Sequence, residues 1–203
     1  MNITIKPLAP ELTADYFDFF NNRAFTDNPP WGGCYCTGFQ MTKEEEKAEL
    51  WDQAEAYGGG QENFMRALRE IVVRQIESRS LRGYLAYVDG VSIGWCNAND
   101  RANFPAESAN GYRLYATAEK REKVVVCFEI APEYRGKGVA TALLDRVVTD
   151  ARAEGYAAVE GFPHRHDERD VWDFYGPVRL YEKAGFIEVS EQDGAAVMRK
   201  ELT

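Results

Sequence analysis

The sequence lacks the features that would direct a protein to a membrane or to an oxidising compartment. No stretch approaches the roughly 18 consecutive apolar residues that a membrane-spanning helix needs. The start has no apolar run behind a basic one, so we expect no signal peptide. Only 4 cysteines occur in 203 residues, too few for a disulfide scaffold. We therefore predict a cytoplasmic protein with reduced thiols and no membrane partner.

Basic residues and metal-binding patterns are also scarce. Lys and Arg number 24 against 33 Asp and Glu, which gives a formal net charge of −9. Such a surface repels phosphate backbones, so we expect no nucleic-acid partner. The pairs Cys34-x-Cys36 and His164-x-His166 do not have the spacing of zinc sites. We predict that the protein binds no metal.

What the sequence does contain is the pattern of a single mixed α/β domain over residues 1–203. Strand patterns occur at 2–6, 83–88, 91–97, 123–130, 156–161, 186–190 and 195–200. Helical patterns predict a helix opening at Pro10, a mostly helical insertion at 26–80, and helices at 139–153 and 177–184. Residues 98–121 are predicted to be a long polar loop.

The order of these elements predicts the fold class. The two strands around helix 139–153 form a right-handed βαβ unit and are therefore parallel, whereas the flanking hairpins are antiparallel. One of those hairpins turns at Asp89-Gly90, a strong two-residue signal. We predict a mostly antiparallel central sheet with one parallel βαβ unit and helices on both faces.

The strongest chemical signal is the stretch EYRGKGVA at 133–140, between a strand and the start of a strongly periodic helix. Two glycines at i and i+2 allow a tight turn whose N–H groups converge at the positive end of the helix dipole. Arg135 and Lys137 add positive charge there. The turn therefore predicts a phosphate site, although glycines can also serve only to close a β–α connection.

Two common phosphate motifs fit this turn poorly. There is no G-x-x-x-x-G-K-[ST] run of a P-loop. A dinucleotide-binding G-x-G-x-x-G would need a third glycine, where Thr141 stands. Glu160 lies near the place of a ribose-binding acid, but only one βαβ unit is present. A dinucleotide site would predict binding of NAD and not of coenzyme A.

The stretch from Val126 to Gly155, with R-G-x-G-x-A after a strand ending in Ile-Ala-Pro, resembles the acetyl-CoA-binding motif of the GNAT (Gcn5-related) N-acetyltransferases. The phrase LYEKAGF at 180–186 is similar to the C-terminal motif of that family. The resemblance covers about residues 83–200, extends less firmly to 2–25, and leaves out the insertion at 26–80.

The resemblance implies acetyl-CoA as cosubstrate and assigns residues to it. The backbone N–H groups of a seven-residue segment would hold the pyrophosphate of coenzyme A: Arg135, Gly136, Lys137, Gly138, Val139, Ala140 and Thr141. The backbone of Phe128, Glu129 and Ile130 would pair with the pantetheine arm in a gap between two splayed strands. Phe174 departs from the family, which often has Asn there in contact with the pantetheine arm.

The chemistry implied is direct transfer of the acetyl group to a primary amine of a small molecule or peptide, without an acyl-enzyme. Tyr181 falls on the family's usual general acid. The base remains open, with Glu129 and Glu160 as our catalytic candidates and Glu122 and His164 also near the central strands. A module that binds acyl-CoA without turnover is the alternative.

The acceptor is the least defined part of the prediction. Trp31, Tyr35 and Trp95 are aromatic candidates for the wall of an amine pocket, because aromatic rings bind cations. We expect specificity to reside in the insertion at 26–80 and in the loop at 98–121, where binding residues tend to collect. The sequence also leaves a homodimer open.

Overall fold

The computed structural model describes residues 1–109, 121–165, 173–192 and 194–202. Residues 110–120 of the predicted loop at 98–121, together with His166 and Asp193, lie outside these residues. Within the described part, no helix is both long and apolar enough to cross a membrane.

Within the described residues, seven strands form one mixed sheet in the order β1-β2-β3-β4-β5-β7-β6. They are β1 (Thr4–Pro7), β2 (Gly83–Val88), β3 (Val91–Asp100), β4 (Glu122–Ile130), β5 (Ala158–Gly161), β6 (Ile187–Gln192) and β7 (Ala195–Glu201). β4 and β5 are parallel, and every other neighbouring pair is antiparallel. This confirms the predicted fold class.

The turn between β2 and β3 is the predicted two-residue hairpin. Asp89 has φ 48° and Gly90 has φ 80°, and two successive positive φ values are those of a type I′ turn. β3 extends to Asp100, beyond its predicted end at residue 97. Its last residues include Asn97 and Asn99, a residue type that strand propensity disfavours. Both amides are buried and bonded, Asn99 Nδ2 to the Ser80 carbonyl at 2.9 Å and Asn97 Oδ1 to Gln40 Nε2 at 3.0 Å.

The helices cover both faces of the sheet. They are α1 (Thr13–Asn22), α2 (Lys43–Glu46), α3 (Asp52–Ala56), α4 (Gly60–Ser78), α5 (Val139–Ala153) and α6 (Val178–Lys183). α5 and α6 bury their apolar sides in one cluster with Tyr84, Ile93 and Phe128. α1 and α4 bury theirs in a second cluster on the opposite face, with Leu85 and Trp95.

The segment predicted as an insertion contributes to the core. Thr42 caps α2 in a capping box, accepting from the Glu45 N–H while the Glu45 carboxylate accepts from the Thr42 N–H. A π-helical turn at Lys47–Trp51 joins α2 to α3. Ile71 and Val72 of α4 are buried in the same cluster as Trp95 of the sheet. The segment therefore packs directly on one face of the central sheet.

β4 carries the irregularity that creates the cleft. Its pairing with β3 shifts between Asn97–Cys127 and Ala98–Val125, so that Val126 is an extra, unpaired residue. A bulge of this kind bends the strand and redirects the residues that follow. The parallel pairing with β5 ends at Val125–Gly161, where β5 itself ends, so that the last residues of β4 have no partner in β5 and face a gap on that side.

Candidate functional site

The separation of β4 from β5 leaves backbone groups of β4 facing a gap. The Phe128 N–H donates to the carbonyl of Phe174 at 2.6 Å and not to a neighbouring strand. Because backbone groups alternate sides along an antiparallel strand, Phe128 and Ile130 point into the gap and Glu129 points toward β3, opposite Trp95. Of the three residues expected to contact pantetheine through their backbone, two therefore have the required direction.

Tyr181 lies where the two strands begin to part. A Cβ atom added to Gly161 would stand 2.2 Å from Cε1 of the Tyr181 ring, so that the ring packs directly on the strand backbone. The side chain is fully buried, and its hydroxyl donates to the Tyr175 carbonyl at 2.9 Å. Burial holds the pKa of Tyr181 well above its ordinary value, which keeps the proton on the oxygen at neutral pH.

Glu129 lies on the other face of β4. Its side chain is 13% exposed and approaches Arg135, with 3.4 Å between Oε1 and Nη2. Burial raises the pKa of Glu129 from 4.5 to about 7, against the lowering effect of Arg135. A carboxyl with a pKa near the working pH is suited to accept a proton from an amine.

Glu160 does not face the gap. One carboxylate oxygen contacts Arg101 and the other contacts Arg199, and Glu122 bridges the same two arginines. Both carboxylate oxygens of Glu160 are therefore occupied by arginine side chains and face away from the gap. The prediction of Glu160 as a base therefore finds no support in the structure. Of the other base candidates, Glu122 belongs to this network and His164 packs on the Tyr175 ring at 4.7 Å.

The turn before α5 has the form expected of an anion site. Gly136 and Gly138 have φ values of 75° and 85°, and a Cβ atom at either position would meet nothing within 4 Å. Gly138 is the N-cap of α5 and no side chain caps it, so N–H groups of the first turn, which includes Val139, Ala140 and Thr141, remain available to a ligand.

The two basic side chains of this turn differ in what they contact. Lys137 is exposed and its ammonium lies 5.7 Å from the centre of the Tyr134 ring. The Arg135 guanidinium turns away from the helix and binds Asp27 and the Ile130 carbonyl. The expectation that Arg135 adds its charge to the phosphate site is therefore corrected: that charge faces Asp27 and Glu129.

Two of the three predicted pocket aromatics are core residues. Trp95 is fully buried against Tyr16, and Tyr35 is 1% exposed with its hydroxyl bonded to Asn21. Because both side chains are buried, neither can line an open pocket without rearrangement. The sequence could not separate them from pocket residues, since large aromatic side chains are also common in cores. Trp31 is half-buried and lies 6.3 Å from the Phe174 ring, beside the gap. It alone of the three remains a candidate for the acceptor pocket.

Comparison with known families decides what this arrangement is. The profile described as the acetyltransferase (GNAT) family matches residues 44–186, which include β4, the turn, α5 and Tyr181. The chain belongs to this family. The match begins inside the segment that the sequence predicted as an insertion. The chain is an N-acetyltransferase enzyme.

Solved structures share the fold of this acetyltransferase at low sequence identity. An aminoglycoside acetyltransferase AAC(6′)-Ib in complex with coenzyme A has a TM-score of 0.56 at 16% identity, with 98% of this chain and 95% of that chain covered. The PaiA N-acetyltransferase from Thermoplasma acidophilum in complex with coenzyme A has a TM-score of 0.52 at 16% identity, with 99% of each chain covered.

A GNAT-family acetyltransferase from Streptococcus pneumoniae has a TM-score of 0.55 at 15% identity, with 100% of each chain covered. No curated protein matches this acetyltransferase. Among its described residues, no group of three or more His, Cys, Asp or Glu side chains is arranged to hold a metal ion.

Two contributors to the site were missed in the sequence. Asp27 lies in a loop dense in turn residues, where an aspartate is expected for turn formation alone. Tyr175 contributes a carbonyl, which no side-chain pattern reveals. The position of Phe174, where the family often has Asn, was the available signal that this segment contacts the cleft.

Proposed function

We propose that this acetyltransferase transfers the acetyl group of acetyl-CoA directly to a primary amine of a small molecule or peptide. The observation that carries the proposal is the Phe128 N–H in the gap, which already holds a carbonyl oxygen, that of Phe174, at 2.6 Å. A donor that binds a carbonyl in this position can bind the thioester carbonyl and stabilise the negative charge that develops on its oxygen.

Glu129 and Tyr181 divide the proton transfers between them. Their side chains lie on opposite faces of β4, Glu129 among the thiols of Cys36 and Cys127 and Tyr181 beside Phe128. Glu129 takes a proton from the amine nitrogen, directly or through water. Tyr181 donates its proton to the departing thiolate, for which a protonated phenol is suited.

The thiols of the chain give no support to an acyl-enzyme. The hydrogen bond with Cys127 and burial hold the pKa of Cys36 well above its ordinary value, and burial raises that of Cys96. The hydrogen bond with Cys36 raises the pKa of Cys34, whose side chain is exposed. On Cys127 the hydrogen bond with Cys36 lowers the pKa, but burial and the nearby acidic groups of Glu129, Cys34 and Cys96 together raise it above its ordinary value. Because the thiolate is the nucleophile, direct transfer is the simpler route.

Coenzyme A fits the groups that the gap and the turn present. The uncapped start of α5 offers backbone donors and Lys137 offers an ammonium group to the phosphates. Phe128 and Ile130 offer strand-edge groups to the amides of the pantetheine arm. Since the Phe174 and Tyr175 carbonyls occupy the Phe128 N–H and the Tyr181 hydroxyl, the segment at 173–176 must move aside when the thioester binds.

The test is acetyl-CoA turnover against a panel of primary amines, measured as release of the free thiol. A matched pair of variants then locates the cosubstrate. Gly138→Ala places a methyl group before the helix start, and we expect the Kd for coenzyme A in calorimetry to rise about tenfold, or about 1.4 kcal/mol.

Gly155→Ala is the control, because Gly155 ends the same helix with φ 75° and open space around its Cβ position. It bears the same cost of a side chain at positive φ and should leave the Kd unchanged. Equal coenzyme A affinity in the two folded variants would contradict a phosphate site at this turn. Failure of every amine to release thiol would contradict the transfer itself.

A further inference from the structure

Arg135 joins three groups at the edge of the cleft. Its Nη1 lies 2.5 Å from Asp27 Oδ2, and its Nη2 lies 3.3 Å from Asp27 Oδ1. The same Nη2 lies 3.4 Å from Glu129 Oε1, and Nε donates to the Ile130 carbonyl at 2.9 Å. One guanidinium therefore serves two carboxylates, and it binds Asp27 more closely and at two points.

The charges around Glu129 make this sharing consequential. In the described part of the chain, Arg135 is the cation in ion-pair contact with Glu129. The other titratable groups facing it are Asp27, Cys34 and Cys36 from the segment that follows α1, and Cys127 from β4. Burial raises the pKa of Glu129, and Arg135 opposes that effect. How far Arg135 opposes it depends on how the guanidinium is shared between Glu129 and Asp27.

We propose that Asp27 is a positioning residue for acetyl transfer: by holding the Arg135 guanidinium, it keeps that cation from pairing fully with Glu129 and leaves Glu129 able to take up the amine proton near neutral pH. The inference rests on the proposed role of Glu129 as base. In the step concerned, the N–H bond of the amine breaks and an O–H bond forms on a Glu129 oxygen. Neither Asp27 nor Arg135 gains or loses a proton.

Two substitutions should move the titration of Glu129 in opposite directions. Asp27→Asn removes a negative charge near Glu129 and frees Arg135 to pair with it, so the pKa of Glu129 should fall from about 7 by about one unit. Arg135→Gln removes the attracting cation, so that pKa should rise. A residue that only supported the local structure would not give shifts of opposite sign.

The measurement is a carbon NMR titration of the carboxyl group in the full chain, with the Glu129 signal assigned by its loss in Glu129→Gln. The acid limb of the pH profile of kcat should follow the NMR midpoint in each variant, while the KM for acetyl-CoA in Asp27→Asn stays within about twofold. Asp18→Asn is the matched control, because Asp18 of α1 pairs with Arg23, just after that helix, in an ion pair exposed to a similar degree. It should leave the midpoint where it is.

The outcomes separate this inference from the proposed function beneath it. An unchanged Glu129 midpoint in Asp27→Asn, or shifts of the same sign in Asp27→Asn and Arg135→Gln, would overturn the role of Asp27 and leave the base untouched. A Glu129→Gln variant with wild-type kcat and pH profile would overturn the base itself, and the role of Asp27 with it. Opposite shifts, followed by the kinetic limb, are the result that we expect.

Discussion

At the scale of the residue, Tyr181 shows how burial prepares a side chain for proton donation. Its ring has no solvent exposure, and its hydroxyl is bonded to the Tyr175 carbonyl. Because burial raises the pKa of Tyr181, the phenol stays protonated throughout the range in which an amine is neutral. A thiolate leaving beside it is a stronger proton acceptor than the carbonyl that it replaces.

Removal of the Tyr181 hydroxyl should therefore affect the chemical step. We expect Tyr181→Phe to lower kcat by about tenfold to a thousandfold, since the ring is kept and general acid catalysis is lost. The KM for acetyl-CoA should change little, and the free energy of unfolding should fall by about 1 kcal/mol for the lost hydrogen bond. Stopped-flow measurement of thiol release separates chemistry from product release.

A control for this variant is Tyr87→Phe on β2. It also removes one hydrogen bond of a buried tyrosine, the one that the Tyr87 hydroxyl donates to Asp15 Oδ2 at 2.8 Å. It should lose comparable stability and keep its kcat. Wild-type chemistry in Tyr181→Phe would exclude Tyr181 as the acid and leave solvent as the proton source.

At the scale of the element, the end of β5 and helix α6 form one unit through the contact of Gly161 with Tyr181. A methyl group at Gly161 would lie 2.2 to 2.5 Å from three atoms of the tyrosine, so the ring must move. We expect Gly161→Ala to cost about 1–3 kcal/mol of stability from overpacking and to lower kcat by about tenfold to a hundredfold, because catalysis is sensitive to displacements near 1 Å.

A double-mutant cycle tests whether this loss passes through the tyrosine. In the Tyr181→Phe background, Gly161→Ala should reduce kcat by little more, because the acid is already absent. Independent, multiplicative losses from the two substitutions would show that Gly161 acts on the cleft by another route.

The elements also show where sequence patterns succeed. Helix 139–153 was predicted with its observed bounds, and the hairpin with its turn at Asp89-Gly90, because helical periodicity and residues that tolerate positive φ leave a local signature. The bulge at Val126 was not predictable in this way. Residues 124–128 around the bulge are apolar on both faces, as buried strands are, so a shift of one residue there changes no visible pattern.

At the scale of the whole molecule, a buried charge network joins the sheet below the cleft. Arg101 after β3, Glu122 of β4, Glu160 of β5 and Arg199 of β7 connect four neighbouring strands. Their side chains are between 7% and 21% exposed. The sequence could not reveal these pairs, because the partners lie as many as 77 positions apart in the chain, and strand order alone brings them together. From its place near the C-terminal end of its strand, Glu160 was instead predicted as a candidate base.

The structure makes Glu160 a residue of stability, and this separates it from Glu129 by experiment. Glu160→Gln leaves two buried guanidinium groups with one carboxylate, and such a loss costs about 3 kcal/mol of the free energy of unfolding. For a chain of this size, the Tm should fall by roughly 6–12 °C. Glu201→Gln is the control. Glu201 is the outer partner of Arg199 and its side chain is 59% exposed, so its loss should change stability by less than about 1 kcal/mol.

Thermal unfolding and turnover are measured on the same samples. The kcat of folded Glu160→Gln should stay within about threefold of wild type, because a lost general acid or base would cost about a hundredfold or more. A loss of kcat on that larger scale, without loss of stability, would return Glu160 to the reaction and contradict the network as its main role.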